Sequence, residues 1–449
     1  MIDLFLKKIK ENDISKNAII FGDQKLKYSE LLDKINSIYL LISTSFNEKK
    51  IVVIKGDYSF NSIALIFALV KHKCVFIPII SDNQTELDKK IEISNPDYVI
   101  DSTDLEVKPF EKKISESNDY YTKLFNNDRS GLVLFSSGST GLPKAMVHDF
   151  DNLLSTYLNV KPKNLTFLVF LMFDHIGGLN TMLNIISMGS TIVIPEKRDP
   201  EIIGHLIQQY KVNILPASPT FLNLMNIGGV FDKYDFSSLK LITYGTEPMP
   251  KSLLDILKIK TPKTRLIQTF GTSETGIIKT KSKSSSSLLI KFDDDDQEVK
   301  IIEGELWIKS KTRVLGYINH NNDSFTNDGW FRTGDLVEEK EDGYYKIIGR
   351  KSKVINVGGE KVLPIEVETV ILELSYIHDC TVFAKDNPIT GQVVAASVVV
   401  KLTDKDLKQL KKDIKIHCKK NLDRFKVPTQ IIIKDQIDYS TRFKKNLLL

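Results

Sequence analysis

The chain has 449 residues, 42% of them hydrophobic and 27% charged, with a net charge of +5 at neutral pH. That length holds two or three domains with sizeable cores, and the composition fits a soluble globular protein rather than a disordered or fibrous one. A surplus this mild gives no electrostatic case for nucleic acid, and the longest apolar stretch, 63–70, is far too short to span a bilayer.

Residues 1–13 read as a short amphipathic helix without the apolar core or cleavage site of a signal peptide. The three cysteines, Cys74, Cys380 and Cys418, lie far apart and form no metal-ligand spacing. They need no disulfide and predict a reducing, cytoplasmic setting. A strand is predicted over 51–54, a helix near 59–72 and a strand over 74–79. Strands follow at 132–135, 191–194, 213–216, 239–244 and 266–270, with a helix near 199–210. Strand and helix alternating at this spacing imply parallel sheets with helices on their faces.

Two low-complexity patches stand out, 281–287 (Lys/Ser) and 293–296 (four aspartates), and the aspartates read as a solvated loop. Cation ligands come interrupted by turn residues, which an unbroken aspartate run lacks. A strand at 343–348 leads to Gly349-Arg350, the clearest boundary. Beyond it a compact α+β unit is expected, with helices near 364–373 and 404–420 and strands near 380–384, 393–400 and 430–434.

The chemistry concentrates after the strand at 132–135. Ser136, Ser137, Gly138, Ser139, Thr140, Gly141 and Lys144 pack hydroxyls, glycines and a cation into nine residues. Glycines let backbone amides converge on an anion, hydroxyls donate further bonds, and the lysine adds a point charge. This is a polyphosphate cradle, yet not the loop of the common NTPases, because Pro143 stands where that pattern needs glycine.

This segment resembles the signature loop of the adenylate-forming superfamily, which includes acyl-CoA synthetases, adenylation domains of nonribosomal peptide synthesis, and luciferases. The resemblance extends over about 20–446. It implies a large α/β N-terminal part with parallel sheets flanked by helices plus a β-subdomain (1–349), and a small mobile α+β C-terminal domain (350–449). It implies ATP and Mg²⁺ as cofactors, a small carboxylic acid as substrate, and CoA or the phosphopantetheine of an acyl carrier protein as acceptor. By the same resemblance Gly245, Thr246 and Glu247 line the adenine pocket, Phe270 stacks on the base, and Gly271, Thr272 and Ser273 approach the phosphates. Glu274 binds the magnesium, Asp335 takes the ribose hydroxyls and Arg350 the ribose or α-phosphate. Gly304-Glu305-Leu306-Trp307-Ile308 matches a structural strand and is assigned packing only.

Phe173-Asp174-His175 matches the carboxylate-pocket segment, with His175 beside the carboxylate. An aspartate at 174 also occurs in amino-acid adenylation enzymes, where it pairs with the substrate amine, so that reading stays open beside a plain acid. Ser352 falls at the hinge, and Gly358 and Gly359 match the loop that lets a pantetheine arm pass. The tail departs from the pattern: Phe443 replaces a glycine, and no proline precedes it. Lys444 is the register match for the adenylating lysine, with Lys445 the alternative. The reading is an AMP-forming carboxylate ligase; its rivals are an amino-acid adenylation enzyme loading a carrier protein and a catalytically inactive binding homologue.

Overall fold

The computed structural model describes residues 1–81, 83–111, 118–136, 142–401, 406–435 and 437. Two seven-stranded sheets organise the N-terminal part. In spatial order the first is Arg265–Gln268, Leu241–Tyr244, Ile214–Ala217, Thr166–Leu168, Thr191–Ile194, Asn17–Phe21 and Gln24–Lys27. All pairs are parallel except the last, a hairpin. The second is Gly316–Tyr317, Lys144–Asp149, Gly131–Ser136, Val75–Ile79, Ile51–Lys55, Tyr98–Asp101 and Val107–Pro109. Its four central strands are parallel and its outer strands antiparallel.

The strand before the Ser/Gly segment therefore returns as an antiparallel partner, Lys144–Asp149, with Ser136 opposite Lys144. A hairpin carries the predicted phosphate loop, whereas the common NTPase loop opens a helix. The predicted single strand at 266–270 is broken: the first sheet ends at Gln268, and Phe270–Thr272 begins a separate hairpin with Gly276–Ile278.

The apolar stretch at 63–70 belongs to the helix Phe60–Lys71, capped by Ser59 on the Ser62 amide. Every residue from Ser62 to Val70 is buried. A helix apolar all round must be covered on all sides. Its core cluster draws Val52, Ile54 and Phe76 from one sheet and Ile19, Ile192 and Ile194 from the other. Among the described residues no helix is long and apolar enough to cross a membrane.

A third, six-stranded antiparallel sheet follows: Thr280–Ser282, Leu289–Phe292, Tyr344–Arg350, Phe331–Lys340, Glu305–Ser310 and Gln297–Ile302. The aspartates 293–296 lie in a loop between two of these strands, as expected, whereas the Lys/Ser run is partly drawn into the sheet. The Lys/Ser run contributes the end of the strand Thr280–Ser282 and the loop after it; the Ser282 and Ser285 hydroxyls accept the Gln268 and Leu266 amides, at 2.9 and 3.1 Å. Those amides lie at the edge of the first sheet, where a donor needs a partner. The aspartates are paired as well: Asp293 with Lys281, Asp296 with Lys311, and Asp294 with the Lys279 amide.

After Arg350 the chain makes a short turn, Lys351–Lys353, and enters the C-terminal sheet. Ile355–Val357 and Glu360–Val362 form a hairpin beside Gly391–Val400, which pairs with Ile377–Asn387 and, in parallel, with Gln430–Lys434. Helices Pro364–Ile371 and Leu407–Asn421 present Val367 and Ile371, and Leu410, Ile414 and Cys418, as buried faces. That spacing of three or four residues is the apolar stripe of a surface helix.

Candidate active site

A cleft of about 680 Å³ opens where three adjacent parallel strands end and the C-terminal sheet faces them. The carboxyl ends of parallel strands are the usual ligand side of such sheets. Ile214–Ala217 delivers Pro219 and Thr220, Leu241–Tyr244 delivers Gly245 to Pro248, and Arg265–Gln268 delivers Thr269 to Gly271.

At position 245 a Cβ would lie 2.7 Å from the Thr269 carbonyl oxygen, so only glycine lets the two segments approach. Thr246 holds a left-handed φ of +70°, a strained conformation for a β-branched residue. The Glu247 carboxylate accepts the Thr220 amide at 2.7 Å, tying the cleft wall to the first turn of the helix Pro219–Ile227. Phe270 is 8% exposed. One side packs with Ile278, Ile290, Leu306 and Ile308, and the ring also lines the cleft.

Asp335 and Arg350 meet on the opposite wall, with Arg350 Nε donating to Asp335 Oδ1 at 2.9 Å. A bulge aims this carboxylate. Trp307 pairs with Arg332 and Glu305 with Leu336, so two steps on one strand face four on the other. Gly334 absorbs the excess at φ +71°. The Thr333 hydroxyl donates to the Leu306 carbonyl at 2.7 Å and accepts the Asp335 amide at 3.0 Å. Glu305 Oε1 accepts the Gly334 amide at 3.0 Å, and Lys351 Nζ lies 3.3 Å from Glu305 Oε2. Bulges beside active sites re-aim side chains in this way. Burial pushes the Asp335 carboxyl above its ordinary range, and the Arg350 guanidinium opposes that shift. Glu305 is thus more than the packing residue expected from its strand.

In the segment expected to hold the phosphates, Ser136 and Lys144 are half-buried and face each other across the hairpin; neither they nor Glu274 line the cleft. Asn319 clasps both sides of Lys144: its Nδ2 donates to the Pro143 carbonyl at 2.8 Å, and its Oδ1 accepts the Ala145 amide at 3.0 Å. Tyr317, two residues earlier, donates to Glu274 Oε1 at 2.9 Å. Burial and the Glu274 charge raise the Tyr317 phenol, which keeps it a donor. Thr272 turns inward, its hydroxyl 2.9 Å from that of Thr275, while Ser273 is half-buried. Ser137, Gly138, Ser139, Thr140, Gly141, Lys444 and Lys445 lie outside the described residues.

Neither residue of the acid-side pair lines the cleft. His175 caps the helix Ile176–Ser187, its Nδ1 accepting the Gly177 amide at 3.2 Å. A neutral ring that accepts there carries its proton on Nε2. The Asp174 side chain is 3% exposed and accepts the Ile80 amide at 3.4 Å. It sits close enough to the buried Tyr58 phenol to raise it and does not line the cleft. Gly358 and Gly359 form the exposed turn of the C-terminal hairpin, at φ +61° and +96°, and also stand outside the cleft. Ser352 and Arg350 do line it.

Glu305, Tyr317 and Asn319 were missed from sequence. The signal was present in Gly316-Tyr317-Ile318-Asn319, but nothing local says that this strand end reaches Lys144 and Glu274, residues far away in the chain.

The family model for AMP-binding enzymes matches residues 6–318, and the model for the C-terminal domain of AMP-binding enzymes matches 366–444. A 2-succinylbenzoate–CoA ligase of Staphylococcus epidermidis is 26% identical over 476 residues, covering 99% of this chain and 96% of its own. Among solved structures, an anthranilate CoA ligase in complex with anthranoyl-AMP superposes with a TM-score of 0.83 at 18% identity, covering 98% of this chain and 95% of its own. An amide bond synthetase from Marinactinospora thermotolerans does so with a TM-score of 0.81 at 18% identity, covering 99% of this chain and 98% of its own.

Proposed function

The chain belongs to the family of AMP-binding enzymes, and we propose that it is an ATP-dependent, AMP-forming acid–thiol ligase. One observation carries this reading: a buried carboxylate, Asp335, held by Arg350 and aimed across the cleft from Gly245, Thr246 and Phe270. A carboxylate matches the two hydroxyls of a ribose, and Phe270 offers an aromatic face for a base. ATP fits this lining.

In the reaction the substrate carboxylate attacks the α-phosphate and pyrophosphate leaves. A thiol then attacks the acyl carbon and AMP leaves. Lys144 and the hydroxyls of its hairpin offset charge on the departing pyrophosphate. Glu274, oriented by Tyr317, would share a Mg²⁺ with phosphate oxygens, as that ion prefers. Lys444 offsets charge on the acyl and α-phosphate oxygens. This is electrostatic stabilisation of a phosphoryl transfer, with little covalent work for the protein. His175 offers an Nε2 proton beside the acid. The working parts are 1–349 and 350–449, joined at Ser352, and rotation there would exchange the Lys444 face for the Gly358-Gly359 turn.

CoA is the first acceptor to test. A carrier-protein phosphopantetheine is the second, with Lys408, Lys411, Lys412, Lys415, Lys419 and Lys420 on one helix as a basic face for an acidic carrier. The first acid to test is 2-succinylbenzoate, on the strength of the full-length relative. The three cysteines are free and buried, in keeping with a cytoplasmic setting. The test is ATP–pyrophosphate exchange across a panel of aryl, fatty and amino acids, repeated with and without CoA. Exchange with an aryl acid, and thioester only with CoA, is expected. Exchange with amino acids alone would overturn the plain-acid reading.

A further inference from the structure

We propose that Glu305 is a positioning residue that couples the ribose site to the hinge through its two carboxylate oxygens. The inference rests on the nucleotide reading of the cleft. The bulge at 333–335 leaves the Gly334 amide without a ladder partner, and a buried amide must find an acceptor. Glu305 Oε1 supplies it from the neighbouring strand at 3.0 Å. Without that bond the turn loses its inner anchor, and the direction of Asp335, the next residue, is no longer fixed.

The other oxygen faces the hinge. Lys351 Nζ reaches Glu305 Oε2 at 3.3 Å from the short turn Lys351–Lys353 that precedes the C-terminal sheet. Arg350, one residue earlier, holds Asp335. Consecutive residues at the hinge thus grip carboxylates on two adjacent strands of the nucleotide wall. The Lys351 ammonium also offsets a cost: Glu305 is 8% exposed and its charge lies near Asp335, which it pushes toward protonation. Rotation of the C-terminal part that unwinds the turn at 351–353 would withdraw Lys351 and leave Glu305 with the amide alone. The ribose wall and the hinge would then report each other's state through one side chain.

The two oxygens can be separated experimentally. Glu305→Gln keeps an acceptor for the Gly334 amide but loses the ion pair, whereas Glu305→Ala loses both. The full chain is titrated with Mg-ATP by calorimetry and digested briefly with trypsin, reading cleavage after Arg350, Lys351 and Lys353. Expected is an ATP Kd about five- to tenfold weaker for Glu305→Ala, the usual loss of one charged hydrogen bond. For Glu305→Gln the Kd should stay within about twofold of wild type, because the amide bond survives. Both variants should be cut at 350–353 at least about threefold faster. A Glu305→Ala Kd equal to wild type overturns the proposal. So does a Glu305→Gln Kd as weak as that of Glu305→Ala, or hinge cleavage unchanged in Glu305→Gln. Failure of the wild-type chain to bind ATP would instead overturn the nucleotide reading itself.

Discussion

The two ends of the proposed nucleotide site are built by opposite means. At the proposed phosphate end, outside the cleft lining, one stretch of chain, 136–144, carries the hydroxyls, glycines and lysine together in sequence, and the fold only has to hold its two arms. At the ribose end no stretch suffices. Gly245 to Glu247, Phe270, Thr333 to Asp335, and Arg350 come from four segments, and a bulge, a buried carboxylate and two ion pairs bring them around one cleft. The first design places its specificity in local composition. The second places it in register, where a slip of one residue would turn Asp335 to the other face of its sheet.

The largest expected effect belongs to neither end. Lys444→Ala should slow adenylation by ~10²–10³, the usual loss of one transition-state donor, while transfer from a supplied acyl-adenylate to the thiol stays nearly intact. Half-reactions measured separately check this, and equal damage to both would show that the two steps do not divide between two poses. Next comes the ribose end. Asp335→Ala should weaken ATP and AMP alike by at least about tenfold, since charged hydrogen bonds are worth about 1.5–3 kcal/mol each. Calorimetry with both nucleotides reads it directly. The sharpest contrast is Asn319→Ala, which removes both clasps around Lys144. ATP should weaken by about three- to tenfold and AMP, which lacks the β- and γ-phosphates, by less than about twofold. Equal losses for both nucleotides would erase the distinction between the two ends.

The smallest effect concerns pH. His148 lies on the strand Lys144–Asp149, fully buried, with no hydrogen-bond partner on either ring nitrogen among the described residues. Burial lowers its pKa from 6.5 to about 4. The unfolded chain therefore takes up a proton near pH 6.5 while the folded chain resists until about pH 4. Stability should fall across that window and owe nothing to His148 above it, at about 1.4 kcal/mol per pH unit. In denaturant titrations at pH 7 and 5.5, His148→Leu should recover roughly 1 kcal/mol of the acid loss. An unchanged pH slope would show that another group sets it.

Much of this architecture was legible in the sequence, for physical reasons. Apolar β-branched runs such as 51–54 and 191–194 can only be buried strands at that length. The phosphate loop, the Thr-Gly-Asp turn and the Gly-Arg boundary are each contiguous. What stayed hidden depends on pairing between distant segments. That the serines near 285 would satisfy the edge of another sheet, or that Asn319 would clasp Lys144, is a fact of sheet order. Glu305 was read as packing because its segment matches a structural strand of the resembling family, and only the bulge opposite gives its carboxylate a task. Asp174 was ambiguous in sequence because the same residue type suits an amine ligand or a backbone amide; the fold gives it the amide of Ile80.

The helix Phe60–Lys71, buried from Ser62 to Val70, also bears on how this protein is made. Its cover on one side is a sheet in which Asn17–Phe21 pairs with Thr191–Ile194. During synthesis the helix leaves the ribosome more than a hundred residues before that second strand exists. At ordinary elongation rates an apolar face of the helix is therefore uncovered for on the order of ten seconds. A nascent chain in that condition is a natural client for chaperones. A ribosome stalled between the helix and the strand near 191 would release a fragment whose stickiest segment lacks the cover of that sheet on one side.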